Sequence, residues 1–156
     1  MKSESINLQR DRLFEALASL EQAVESPCVP GELERWIDGV DVAFKRLRPM
    51  VKEQIVRVHP QQFAEIRDED EEMHRRVELM RQEDATLREA FEQLDRDIAG
   101  LKRSAENLEP DEARLRDAFG AFVQETIDCI VRTRTQEEAI RTWMMEAFTR
   151  DRGAVD

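Results

Sequence analysis

At 156 residues the chain has the length of one domain and enough side chains to bury an apolar core. Charged residues make up 38 % and apolar residues 40 %, with five Gly, five Pro and no Tyr, a balance that favours helix and argues against any sheet. The net charge of −11, with the bases scattered among acids, argues against nucleic acid and an anionic membrane as partners.

The opening segment, Met1 to Leu8, lacks the apolar stretch of a secretion signal. No run approaches the ~20 residues a membrane span needs. A soluble, cytoplasmic protein is the expectation. Cys28 and Cys129 have neither disulfide-framework nor metal-site spacing, so one reads as a loop thiol and the other as a small core residue.

Taken in order, the first helix is predicted over about residues 5–26, with Ile6, Leu13, Leu17, Leu20 and Val24 at four-three spacing and Phe14 widening the face. Arg10 or the adjacent Asp11 interrupts its apolar seam. Ser26 to Gly31 holds two prolines and a glycine in six residues and forms a link.

The second helix is predicted over about 32–59, with the seam Leu33, Ile37, Val40, Phe44, Leu47, Val51, Gln54, Val58. Gln54 is its polar member. Pro49 should kink the axis near Lys45 to Pro49, and Pro60 should end the regular run, leaving at most a short turn through Phe63 and Ile66. Asp68 then reads as an N-cap with Glu71 as its capping-box partner.

The third helix, about 68–106, carries the clearest seam: Met73, Val77, Met80, Asp84, Leu87, Phe91, Leu94, Ile98, Leu101. Asp84 stands where the spacing demands an apolar side chain. The fourth, about 110–149, starts with Pro110 at its first position and Asp111 and Glu112 in its first turn. Its seam reads Leu115, Phe119, Phe122, Thr126, Ile130, Thr133, Glu137, Ile140, Met144, Phe148. Ala118, Ala121, Val123, Ile127, Cys129 and Val131 spread apolar surface further round this helix, consistent with a homodimer contact or a deeply embedded helix.

Four amphipathic helices with one seam each predict an all-α, antiparallel up-down-up-down four-helix bundle in a single domain spanning residues 1–156. Every seam contains a polar position. A buried, unpaired carboxylate costs several kcal/mol, so an inward Asp84 must be paired, wet or protonated. Asp84 precedes Leu108 by 24 residues and Thr133 follows it by 25, which places the two at one level on neighbouring antiparallel helices. The first two helices fit less well, with an offset between Arg10 and Gln54 of up to roughly 10 Å. The candidate core site is therefore Gln54, Asp84, Thr133 and Glu137. Polar seam positions of this kind either fix which helix faces which or line a ligand pocket.

The frames around these positions resemble the hemerythrin-like family, four-helix bundles that hold a di-iron centre with inward histidines and carboxylates. Glu83-Asp84-Ala85-Thr86-Leu87 matches the third-helix frame Glu-His-x-x-Leu with Asp84 in the histidine position. Thr133-Arg134-Thr135-Gln136-Glu137-Glu138 matches the fourth-helix frame His-x-x-x-Glu-Glu with Thr133 for histidine and both glutamates kept. Gln54 stands at the second-helix histidine position, His59 near where a carboxylate would follow, and Arg10 or Asp11 at the first-helix histidine position.

The resemblance implies the bundle fold and a di-iron site that has lost most of its imidazoles, since His59 and His74 are the only histidines in the chain. No cofactor, no metal and no catalytic residue is expected. Glu71-Glu72-Met73-His74 supplies one Glu-x-x-His motif of the ferritin-like carboxylate bundles, but there is no second, so His74 reads as a surface histidine. Trp143, Met144 and Met145 read as core packing with Ile140 and Phe148. The expected role is a non-enzymatic scaffold or interaction module. The alternatives are a metal- or small-ligand-binding sensor using Gln54, Asp84, Thr133 and Glu137, and a di-iron oxygen-binding protein.

Overall fold

A computed structural model describes residues 2–68, 71–107 and 112–153, and among them every regular element is helical, with no strand. The elements are α1 (Lys2–Glu25), α2 (Leu33–Glu53), a π-helical turn (Gln54–Val58), α3 (His59–Arg67), α4 (Glu71–Ala105) and α5 (Glu112–Gly153). α1 packs against α2 and α5, and α4 packs against α2 and α5, while α3 lies on α4 and α5. No helix of the described residues is long and apolar enough to cross a membrane.

The seams account for the packing. All nine α4 seam positions from Met73 to Leu101 are buried, Asp84 among them. On α1, Leu13, Leu17, Leu20 and Val24 are buried while Ile6 is half-buried, and on α5 Phe119, Phe122, Ile130 and Ile140 are buried. Phe148 departs from its expected core role, with 65 % of its surface exposed near the helix end. Met145 is exposed as well, whereas Trp143 and Met144 pack partly against the core.

Two apolar clusters result. The larger joins α1, α2, Phe91 to Leu101 of α4 and Phe119 to Ile130 of α5. The smaller joins Phe63 and Ile66 of α3 with Met73, Val77 and Met80 of α4 and Ile140 of α5. Asp84 on α4, and Thr133 and Glu137 on α5, fall between the members of one cluster and those of the other, whereas Thr126 lies within the span of the larger.

The link after α1 turns at Gly31, whose φ of 89° is disfavoured for residues with a Cβ. Trp36 Nε1 donates to the Ser26 carbonyl at 3.0 Å and its ring meets Phe119 edge-on at 5.1 Å, tying the link to α2 and α5. Cys28 is exposed in this link and Cys129 is buried on α5, where burial pushes its thiol up to about 11.

The second helix differs from expectation in two places. α2 runs unbroken through Pro49, and the irregularity lies at Gln54–Val58, where the His59 N–H donates to the Gln54 carbonyl five residues back. Nor does Pro60 end the helix. It sits in the first turn of α3, directly after the π turn, and the chain stays helical to Arg67. The capping box proposed for Asp68 and Glu71 spans residues 69 and 70, outside the described residues. Asp68 instead closes α3, its N–H reaching the Ala64 carbonyl at 3.1 Å. Pro110 and Asp111 also lie outside the described residues.

The π turn inserts one residue into the inward seam. Buried positions run Val51, Gln54, His59, Phe63, Ile66, a five-residue step where the regular pattern would have placed Val58. Val58 is half-buried and His59 fills the core. Removing one exposed residue of the turn, Val56, should restore α-helical phase and swing His59, Phe63 and Ile66 about 100° off the core. Urea unfolding is expected to show a loss of about 3–5 kcal/mol or more for the deletion, against less than about 1 kcal/mol for Val56→Ala.

Candidate functional site in the bundle core

The polar seam positions of three helical stretches converge on His59. Its Nδ1 lies 3.0 and 2.9 Å from the two carboxylate oxygens of Asp84, and its Nε2 lies 2.6 Å from Glu137 Oε1. All three side chains are almost fully buried. Gln136 Nε2 donates to Asp84 Oδ1 at 2.9 Å and to the Met80 carbonyl at 2.7 Å. Phe63, one turn beyond His59 on α3, holds its ring 5.8 Å from the imidazole.

Both ring nitrogens face carboxylate oxygens, which only accept, so both must carry protons and the ring is an imidazolium. Burial alone would lower the proton affinity of His59. The hydrogen bonds and charges of Asp84 and Glu137 outweigh it and raise the pKa from 6.5 to about 9.

Of the four predicted site residues, Gln54, Thr133 and Glu137 line one small internal cavity together with His59 and Gln136, and Asp84 joins them through the imidazole. The level match between Asp84 and Thr133 holds to that extent, but Thr133 donates its hydroxyl to the Cys129 carbonyl at 2.7 Å. Thr126, buried one turn earlier in the seam, donates likewise to Phe122. Neither hydroxyl contacts the imidazole. On α1, Asp11 is exposed and Arg10 is the half-buried member of the pair.

Two members of the site lie outside the predicted set: Gln136, and His59, which takes the centre. The signal for His59 was Pro60. Its ring and absent N–H disturb the regular helix just before it, and Phe63 and Ile66 follow His59, not Val58, at four-three spacing. His74 is exposed, with Nε2 3.1 Å from the Arg67 carbonyl, as expected of a surface histidine.

A di-iron centre does not fit this donor set. His59 has no free lone pair, because Asp84 and Glu137 occupy opposite nitrogens and do not converge on a common point. Among the described residues no group of three His, Cys, Asp or Glu side chains could hold a metal ion. The cavity beside the imidazole measures about 10 Å³, roughly the space of one water and too small for a substrate.

Known protein families, curated proteins and solved structures were all compared with the chain, and none matches it. The arrangement itself thus carries the reading: a buried cation held between two buried anions, each contributed by a different helix.

Because the folded chain binds the His59 proton more tightly than the unfolded chain, the stabilisation is fully present below pH ~6.5 and is lost as pH rises through ~9. Chemical denaturation across that window should show stability falling by about 3 kcal/mol. His59→Leu, which strands two buried carboxylates, should cost about 3–5 kcal/mol at pH 7 and flatten the alkaline slope.

Proposed function

We propose that this chain is an up-down-up-down four-helix bundle of the hemerythrin-like kind that has lost its di-iron site and works as a non-enzymatic scaffold or interaction module. The observation that carries this reading is the position of His59, whose imidazolium supplies, from within the chain, the positive charge that Asp84 and Glu137 require. In a di-iron bundle, inward carboxylates are neutralised by metal. Here a side chain from α3 does so, and its N–H groups leave no open coordination position.

Several features support a structural use of the site. Among the described residues no activated nucleophile adjoins the imidazole: Thr133 and Thr126 spend their hydroxyls on their own helix, and the Cys129 thiol is pushed up to about 11. Hydrogen bonds of fixed geometry from α3 and α5 to one carboxylate of α4 set the rotation and height of three helical stretches relative to one another. The pairwise contacts of α1 with α2 and α5, and of α4 with α2 and α5, suit a four-rod bundle.

As an interaction module the protein would use the outside of α5. Ala118, Ala121 and Val131 of the apolar set on that helix are exposed, while Val123 and Ile127 pack partly into the larger cluster and Cys129 is buried. We assign the exposed residues to a homodimer contact.

Elemental analysis of protein produced in iron-supplemented medium should give far less than one iron per chain, with no rise in melting temperature on adding ferrous or zinc ions. About two tightly held irons per chain would overturn the reading. Replacing His59, Asp84 and Glu137 together by Leu should recover the stability that His59→Leu loses, or exceed the parent by about 1–4 kcal/mol. Sedimentation over a concentration series tests the dimer, and a monomer at the highest concentration removes it.

A further inference from the structure

Glu137 also lines a surface groove of about 500 Å³ between the start of α1, the π turn with α3, and the last turns of α5. Its size falls in the range of small-molecule sites, about 300–1,000 Å³. One flank is apolar, formed by Ile6 of α1 with Ile140, Met144 and Phe148 of α5. Phe148 and Met145 leave more than half of their surface uncovered there, 65 % and 62 %.

The polar flank is cationic, against the sign of the whole molecule. Arg10 is half-buried, lines the groove, and has no ion pair among the described residues. Arg141 opens on the same space, and among the described residues its ion pair is with Glu138 of its own helix at 3.9 Å, at the limit of such a pair. Lys2 stands at the rim. Of the acids lining the groove, Glu137 is answered by His59, and Glu65 is exposed. In a chain of net charge −11, a half-buried arginine with no ion pair among the described residues is available to an anion.

Gln62, on the lining of the groove, carries an acceptor without a donor among the described residues: its Oε1 is buried and has no hydrogen-bond partner there. Leaving a buried carbonyl oxygen unsatisfied is costly, so a ligand carrying an N–H or O–H gains by meeting it.

We propose that this groove binds an amphiphilic organic anion: a carboxylate held by Arg10, with Arg141 close by, an amide or hydroxyl donor facing Gln62, and an apolar chain along Ile6, Met144 and Phe148. The site is separate from the scaffold role proposed above and stands or falls without it. The flat apolar wall tolerates chains of differing length, whereas the guanidinium demands the negative charge, so recognition is strict for charge and loose for tail.

N-octanoylglycine, its uncharged methyl ester and decanoate are suitable probes, titrated calorimetrically into the full chain below their micellar concentrations. The acid should bind saturably, one molecule per chain, about tenfold or more tighter than the ester. Arg10→Gln should bring acid and ester together. Gln62→Leu should narrow the gap between N-octanoylglycine and decanoate, which lacks the N–H. Phe148→Ser, at a position 65 % exposed, should weaken acid and ester alike while circular dichroism stays parental. Absence of saturable binding at millimolar probe, an ester that matches the acid, or a charge preference that survives Arg10→Gln in a variant with parental circular dichroism would each overturn the proposal.

Discussion

Two carboxylates pointing into the middle of a helical core need a positive charge within hydrogen-bonding distance, and in this molecule the imidazole of His59 provides it from both of its ring nitrogens. Much else in the structure follows from that need. The π turn at Gln54–Val58 advances the chain by the one residue that brings His59 inward. Gln136 then completes the shell by donating to Asp84 and anchoring to the Met80 carbonyl. Removal of water from three charged groups offsets much of their mutual attraction, so the network adds little net stability compared with apolar residues of the same size. What it supplies is phase: only one rotation and one height of α3, α4 and α5 satisfies all its bonds.

Stability has other sources. The apolar clusters above and below the polar layer bury the large side chains, with Phe44 and Phe91 stacked at 6.1 Å in one of them and Arg76 lying 4.2 Å over Trp143 beside the other. Between helices, Arg48 pairs with Asp95, Arg132 with Glu83 and Arg134 with Glu21. Pairs as exposed as these contribute little individually. Asp41 is better shielded. Burial would raise its pKa, but hydrogen bonds from Lys102 of α4 and Lys45 of its own helix hold it below the usual carboxylate range.

Glu137 belongs to two environments at once. One oxygen accepts from the imidazolium in the core, and the residue also borders the groove lined by Arg10 and by Gln62, whose Oε1 has no hydrogen-bond partner among the described residues. The polar position in the α1 seam thereby gains a meaning distinct from the other three. Arg10 does not join the core network and lines the groove, which Gln54 also borders.

Periodicity alone determined the long helices, most of their inward faces and the burial of Asp84, because each of those depends on residues three or four apart on one rod, whose spacing is a local property of the backbone. It also set Asp84 and Thr133 at one level by counting from the connection between their helices, since rise per residue is constant along a helix. The partner of Asp84 was decided only by tertiary structure. One inserted residue before Pro60 turned the seam from Val58 to His59, and a change of that kind appears in no count of three and four. The clash at the proline marks where helical phase can slip, but whether it slips depends on the two carboxylates that α4 and α5 bring from 25 and 78 residues away.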